Sequence, residues 1–434
     1  MNPKSIALSV GIVAASFFAW GFLAHRHKVF PHSLLKFAAT EVGILEPGQG
    51  PDVLFEDPPT APLAVLKTLP YITAQFDPES GLRGVVEFDR NRAQSGLNFY
   101  NSVHQTSARL IDMDGKLIHS WSYDHPPAPR LAKADHEHGS HGWHTAELLS
   151  DGSLILVIED HFVLKIDKCS ELVWSYETRA HHDVWVGDEG NIYVVTREAV
   201  QAPDIHGTVE SLDERITVLT ADGIKQAEVS VLGLLRSSRY EYLLPSVTTT
   251  EFTVDELAPI HVNHVEVFDG SLAELSPLFE RGNVLISMRN LNAIAILDGR
   301  MKEIIWLWGP NNVALQHHPR LLQNGHLLVF DNGTERSRVV ELDPTGREVV
   351  WTYANGKDFY SSWGGSAQRL PNGNTLITET ATGYAREVTP EGQVVWKFAN
   401  PDVDSEGQRT NIWRMTRFLR SDLNFLDAGG CNRS

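Results

Sequence analysis

The chain has 434 residues, 42% hydrophobic and 21% charged, which is the profile of a folded protein with a large core and excludes a disordered or low-complexity one. Its 55 acidic against 37 basic side chains leave a formal charge of -18, which argues against binding nucleic acid or anionic headgroups through clustered Lys and Arg. The 19 histidines stand out in so acidic a chain.

Residues 6–23 form an 18-residue run without a charge, at the lower limit for a helix that spans a bilayer. Lys4 flanks it on one side and Arg26 and Lys28 on the other, so flanking charge does not orient it. A signal peptide is the alternative, but the run is long for one and its only small-x-small site, Ala19-Trp20-Gly21, is poor. The expectation is a membrane anchor at 1–28, a linker and approach segment at 29–83, one folded domain at 84–420 and a tail at 421–434.

That domain repeats. Strand-turn-strand units with a turn glycine recur at HTAELLSDGSLILV (144–157), HHDVWVGDEGNIYVV (181–195), HHPRLLQNGHLLVF (317–330) and GSAQRLPNGNTLIT (365–378). A polar turn and an aromatic-rich strand usually follow. RLIDMDGKLIHSWSY (109–123) carries that second half for an earlier copy, and 282–308 carries three strands of another. Six units result, at about 84–123, 144–178, 181–230, 261–310, 317–355 and 365–400, with a partly helical insertion at 231–260. Radial repetition of four-stranded antiparallel sheets predicts an all-β, six-bladed propeller, closed by a strand from 411–419. Trp121, Trp174, Trp306, Trp351 and Trp396 recur in the outer strands and read as packing anchors between blades. Cys169 and Cys431 either pair in an oxidising compartment or are two separate thiols.

His144, His182 and His317 each stand eight residues before a turn glycine, and Gly365 holds that place in the sixth unit. In the fourth unit strand parity assigns it to His261. Four histidines at the start of innermost strands would converge on the mouth of the central channel, as a ligand site. Water-bridged channel lining and a ring of metal-binding imidazoles are the alternatives, but no carboxylate sits regularly at the register. His136, His138 and His141 read as a polar loop.

Around these positions, His261-Val262-Asn263, the SMR ending in Arg289, LQHHPRLLQNGHLLVFDNG, SSWGGSAQRLPNGNTLITET and LIDMDGKLIHSW resemble the bacterial arylsulfate sulfotransferases. The resemblance spans about 84–418. It implies a six-bladed propeller that moves a sulfuryl group from an aryl sulfate to a phenol, through a sulfohistidine and without an adenylated donor or other cofactor. It further implies His317 as nucleophile, His261, Asn263 and Arg289 as holders of the sulfate oxygens, and His182 as proton donor and acceptor. The register adds His144 beside the substrate, while His318 follows His317 and competes with it; the glycine spacing favours His317. The resulting expectation is an enzyme of the bacterial inner membrane, with a single-pass anchor and its propeller in the periplasm. A non-catalytic ligand-binding or scaffold propeller of a membrane complex is the rival reading, and a His-ring metalloenzyme the second.

Overall fold

The structure is a computed structural model that describes residues 81–103, 105–125, 142–207, 209–245, 257–428 and 431. Contacts divide the chain into Met1–Leu69 and Pro70–Ser434, and every described residue belongs to the second unit. The apolar run at 6–23, most of the approach segment and His136, His138 and His141 lie outside the described residues. Among the described residues no helix is long and apolar enough to cross a membrane.

Six antiparallel sheets form the blades of a propeller. The described chain starts with β1 (Gly84–Phe88) and continues through β2 (Leu97–Asn101), β3 (Ser107–Ile111) and β4 (Leu117–Ser122). The second blade is β5 (Thr145–Leu148), β6 (Leu154–Ile158), β7 (Phe162–Ile166) and β8 (Leu172–Glu177). The third is β9 (Ala180–Val186), β10 (Ile192–Gln201), β11 (Glu210–Leu219) and β12 (Lys225–Ser230). β13 (Val262–Val267), β14 (Val284–Met288), β15 (Ala293–Leu297) and β16 (Ile304–Trp308) make the fourth. β17 (His317–Leu321), β18 (Leu327–Asp331), β19 (Arg338–Asp343) and β20 (Glu348–Tyr353) make the fifth. The sixth contains β21 (Ser366–Arg369), β22 (Thr375–Glu379), β23 (Tyr384–Val388) and β24 (Val394–Ala399).

The ring closes twice. β25 (Arg414–Phe418) pairs with β2 as the innermost strand of the first blade, so chain end and chain start share one sheet. β1, expected in the first unit, instead pairs with β24 as a fifth, outer strand of the sixth blade. Closure removes the open edges that six stacked sheets would otherwise leave.

Burial follows distance from the axis. β6 (LILVI), clamped between neighbouring blades, is buried at every position, whereas the outer β8 (LVWSYE) has no fully buried residue. The recurring tryptophans then latch blade to blade. Indole Nε1–H groups donate from Trp121 to Gly152 O at 2.8 Å, from Trp174 to Ala221 O at 3.0 Å and from Trp306 to Pro344 O at 3.0 Å. Trp351 reaches Pro390 O at 2.8 Å, and Trp396 closes the ring on Met113 O at 2.9 Å. Trp121, Trp306 and Trp396 are buried and Trp174 and Trp351 half-buried, and each latch adds a net hydrogen-bond contribution of about 1 kcal/mol. The third unit lacks the tryptophan. There Ser230 caps a short helix, α2 (Val231–Arg236), accepting from Gly233 N at 2.8 Å, and the helix buries Val231, Leu232, Leu234 and Leu235; α1 (Pro203–His206) caps the long β10–β11 hairpin. This agrees with the helical insertion expected after residue 230.

Cys169, in the turn after β7, and Cys431 form a disulfide, which ties the tail to the second blade. Phe425 of that tail is buried against Trp121, with ring centroids 5.8 Å apart.

Candidate active site

The inner strands β5, β9, β13, β17, β21 and β25 surround the axis, and their first residues gather at one level. The pairs that end each inner hairpin define the register: Leu148–Leu154, Val186–Ile192, Val267–Val284, Leu321–Leu327 and Arg369–Thr375. Four residues earlier stand His144, His182, Asn263, His317 and Gly365. The fourth blade therefore contributes Asn263, not His261, to the histidine register. Its insertion hid the true turn alignment from strand parity. In the sixth blade only glycine fits, because Gly365 has φ +110° and a Cβ there would lie 2.5 Å from the Phe330 ring.

His261 reaches the site by another route. It has φ +52°, and the β13–β14 pairing slips between Val262 and His264, so its ring turns toward the third blade. There its Nε2 meets His182 Nε2 at 3.1 Å. His182 has φ +55° inside a bulge of β9, and its Nδ1 lies 2.7 Å from His181 Nδ1. His181 Nε2 is in turn 2.6 Å from Glu214 Oε2, with both side chains buried. His144 adjoins the group at 4.7 Å between ring centroids, and its Nδ1 lies 3.2 Å from Glu159 Oε2.

His317 is oriented by Asn332. Its Nδ1 stands 2.7 Å from Asn332 Oδ1, whose amide nitrogen donates to Ser361 O at 2.9 Å and Gly364 O at 2.7 Å. Those two acceptors fix which end of the amide faces the ring. Nδ1 therefore carries the proton, and Nε2 keeps its lone pair. Arg289 follows β14; its backbone N–H donates to His261 O at 2.9 Å and its guanidinium to Asn290 Oδ1 at 2.9 Å. Asn263 donates to Gln316 O at 2.9 Å.

The electrostatics favour neutral rings around a fixed cation. Burial, reinforced by the Arg289 guanidinium, holds His317 down to about 3. Burial and then Arg289 push His261 well below the usual imidazole range; burial and then the surrounding histidines do the same to His182. Neutral imidazoles are nucleophiles and proton acceptors, and Arg289 supplies a fork for anionic oxygens.

His318 faces elsewhere. Its φ is +48°, its ring packs on His264 at 5.0 Å, and burial followed by Arg414 and His264 lowers it well below the usual range. Below it, Asp183 sits 2.6 Å from both His264 Nδ1 and an Arg414 nitrogen. This ion-pair layer occupies the channel beneath the histidines.

Several contributors escaped the sequence reading. Trp413 lies edge-on to His144 at 4.3 Å and stacks with Trp363 at 6.3 Å, making an aromatic wall beside the rings. Its position just before β25 was a usable signal, since that strand was expected to be innermost. Asn332, Glu159 and Glu214 stand on or beside second and third strands and had no register signal. Two surface hollows, about 430 Å³ beside Asn91 and Asn374 and about 410 Å³ beside Pro277 and Ile305, lie away from this cluster. The convergence of reactive groups, not hollow size, marks the site. Among the described residues no group of three or more His, Cys, Asp or Glu is arranged to hold a metal.

A family model described as arylsulfotransferase (ASST) matches residues 145–401, more than half of the chain. No curated protein matches. Solved structures with a similar course include a protein of unknown function from Bacteroides caccae, 12% identical over 75% of this chain and 100% of that one, TM-score 0.48. A streptogramin B lyase is 11% identical over 80% of this chain and 96% of that one, TM-score 0.43. A virginiamycin B lyase from Staphylococcus aureus is 10% identical over 74% and 89%, TM-score 0.41. At these scores the three carry no argument about this chain.

Proposed function

The chain belongs to the arylsulfotransferase family, and from that premise we propose that it transfers a sulfuryl group from an aryl sulfate ester to a phenol through a sulfohistidine on His317. The observation that carries the reading is the Asn332–His317 contact. It leaves the Nε2 lone pair of a neutral ring free to attack.

In the first half-reaction Nε2 forms a bond to sulfur, the bridging S–O bond breaks, and the phenoxide leaves and is protonated. The second half-reaction reverses these events with the acceptor phenol, which loses its proton as its oxygen takes the sulfuryl group. Arg289 steadies the charge on the transferring oxygens, as a fixed guanidinium can do in a dry site. His261 and Asn263 flank that position, and His182 and His144 are placed to move protons. Trp413 and Trp363 offer the aryl ring a flat partner. His318, turned toward His264, is not the nucleophile.

The same reading places the propeller in the periplasm of a bacterium, tethered by residues 6–23 to the inner membrane. The charge-free run and the Cys169–Cys431 disulfide, typical of an oxidising compartment, support it.

Incubation with 4-nitrophenyl sulfate and phenol should release nitrophenolate and form phenyl sulfate. Donor alone should leave an acid-labile sulfuryl adduct on the His317 peptide. His317→Ala should lose both signals while His318→Ala keeps the adduct. A His317→Ala variant with full turnover would overturn the mechanism.

A further inference from the structure

The four-membered chain from Glu214 to His261 has no counterpart in a simple sulfate-binding site. Consecutive residues of a strand normally face opposite sides. The bulge in β9 breaks that alternation: Ala180 pairs with Thr196 and Val184 with Val194, so the three residues 181–183 oppose Val195 alone. His181 thereby points back to Glu214 on the third strand of its blade, while His182 points to the axis. The contacts run 2.6 Å from Glu214 to His181, 2.7 Å from His181 to His182 and 3.1 Å from His182 to His261, all between buried groups.

We propose that Glu214, linked to the substrate by His181, His182 and His261, stores the proton exchanged in the two half-reactions. The proposal rests on the sulfuryl-transfer reading above and assigns its proton a destination.

The protons balance with every ring neutral at the start and end. In the discharged state Glu214 is a carboxylate. His181 holds its proton on Nε2, His182 on Nδ1 and His261 on Nε2, so each donates toward Glu214. When the acceptor phenol gives its proton to Nδ1 of His261, a proton moves inward across each of the three contacts, the last of them the ion-pair contact between His181 and Glu214. Glu214 ends as a neutral acid, and the rings carry their protons on the opposite nitrogens. In the next donor step the bridging oxygen of the aryl sulfate takes the Nδ1 proton of His261 as its S–O bond breaks. The shifts then reverse and restore the carboxylate. Arg197, paired across the sheet with Glu214 and anchored to Asp160 at 2.8 Å, supplies a cation that steadies the carboxylate form of Glu214.

Transfer of a proton matters most for a strongly basic leaving group. With enzyme first cycled with donor and excess phenol and then freed of both, single-turnover release from phenyl sulfate and from 4-nitrophenyl sulfate separates the roles. Glu214→Gln keeps the shape but cannot exchange the proton. It should slow phenyl sulfate about a hundredfold and 4-nitrophenyl sulfate only about fivefold. His181→Asn should show the same selectivity, and the double variant should be no slower than the worse single one, since one broken link already severs the relay. Equal losses with both donors, or additive losses, would overturn the relay and leave Glu214–His181 a purely structural pair. If the wild-type protein forms no adduct on His317, the transfer reading itself falls. An adduct in the wild type together with leaving-group-independent variants removes the relay alone.

Discussion

Asn332 Oδ1 lies 2.7 Å from His317 Nδ1, and this one contact selects the tautomer of the proposed nucleophile. Asn332→Ala should lower the rate of adduct formation by about 10- to 100-fold, comparable to losing a buried orienting partner. It also strands the Ser361 and Gly364 carbonyls, at a cost of about 1–3 kcal/mol in denaturant melts. Full burst rates in Asn332→Ala would show that the ring is positioned by packing alone.

The attacking form of His317 is the neutral ring, and its folded value is held to about 3. Turnover per KM should therefore show no acid limb from His317 between about pH 7 and pH 5, where an ordinary imidazole would titrate. Arg289→Gln removes a charge that opposes protonation, so any acid limb should move to higher pH, on top of a loss of about 10²–10³ in kcat. The same shift bears on stability. The unfolded ring takes up its proton below about pH 6.5 and the folded ring does not, so its contribution is complete above that pH and declines as pH falls toward about 3. An acid limb centred near the ordinary imidazole value in the wild type would contradict this picture.

Trp413, 4.3 Å from the His144 ring and stacked with Trp363, should bind the aryl group. Trp413→Ala is expected to raise KM for aryl donors about tenfold, in line with one lost aromatic contact of about 1.4 kcal/mol. Trp413→Phe should recover most of it. Equal KM values in all three proteins would assign the tryptophans to packing.

Cys431 closes a loop with a sequence separation of 262 residues. Cys431→Ser should cost about 2–4 kcal/mol in stability and leave turnover intact, because the bond ties down the tail and lies on the outside of the ring. A loss of activity at temperatures where the variant stays folded would mean that the tail reaches the site.

The repeating features of this protein were legible because each rests on a local rule. Alternation of apolar residues, turn glycines and a recurring tryptophan are set within one hairpin, so the six blades, the closing strand and the Trp latches could be read along the chain. The register argument placed His144 on a regular hairpin, and His182 and His317 on hairpins that carry a bulge. It failed in the fourth blade, where a long turn follows β13 and parity cannot show which residue opposes Val284. Asn263 holds that register, and His261, just before β13, arrives through a left-handed backbone conformation that strand alternation does not anticipate.

The residues that give those histidines their chemistry belong to the tertiary structure. Asn332 meets His317 across one hairpin; Glu159 meets His144 likewise, while Glu214 reaches His181 from the third strand and Trp413 comes from the far end of the chain. Such pairings depend on the twist of each blade, on bulges that turn one ring by half a strand period, and on where the ring closes. The 19 histidines and the charge of -18 were visible at once in the composition. Which rings become neutral, oriented and linked was decided by burial and ring closure, because pKa and tautomer are properties of the surroundings that folding assembles.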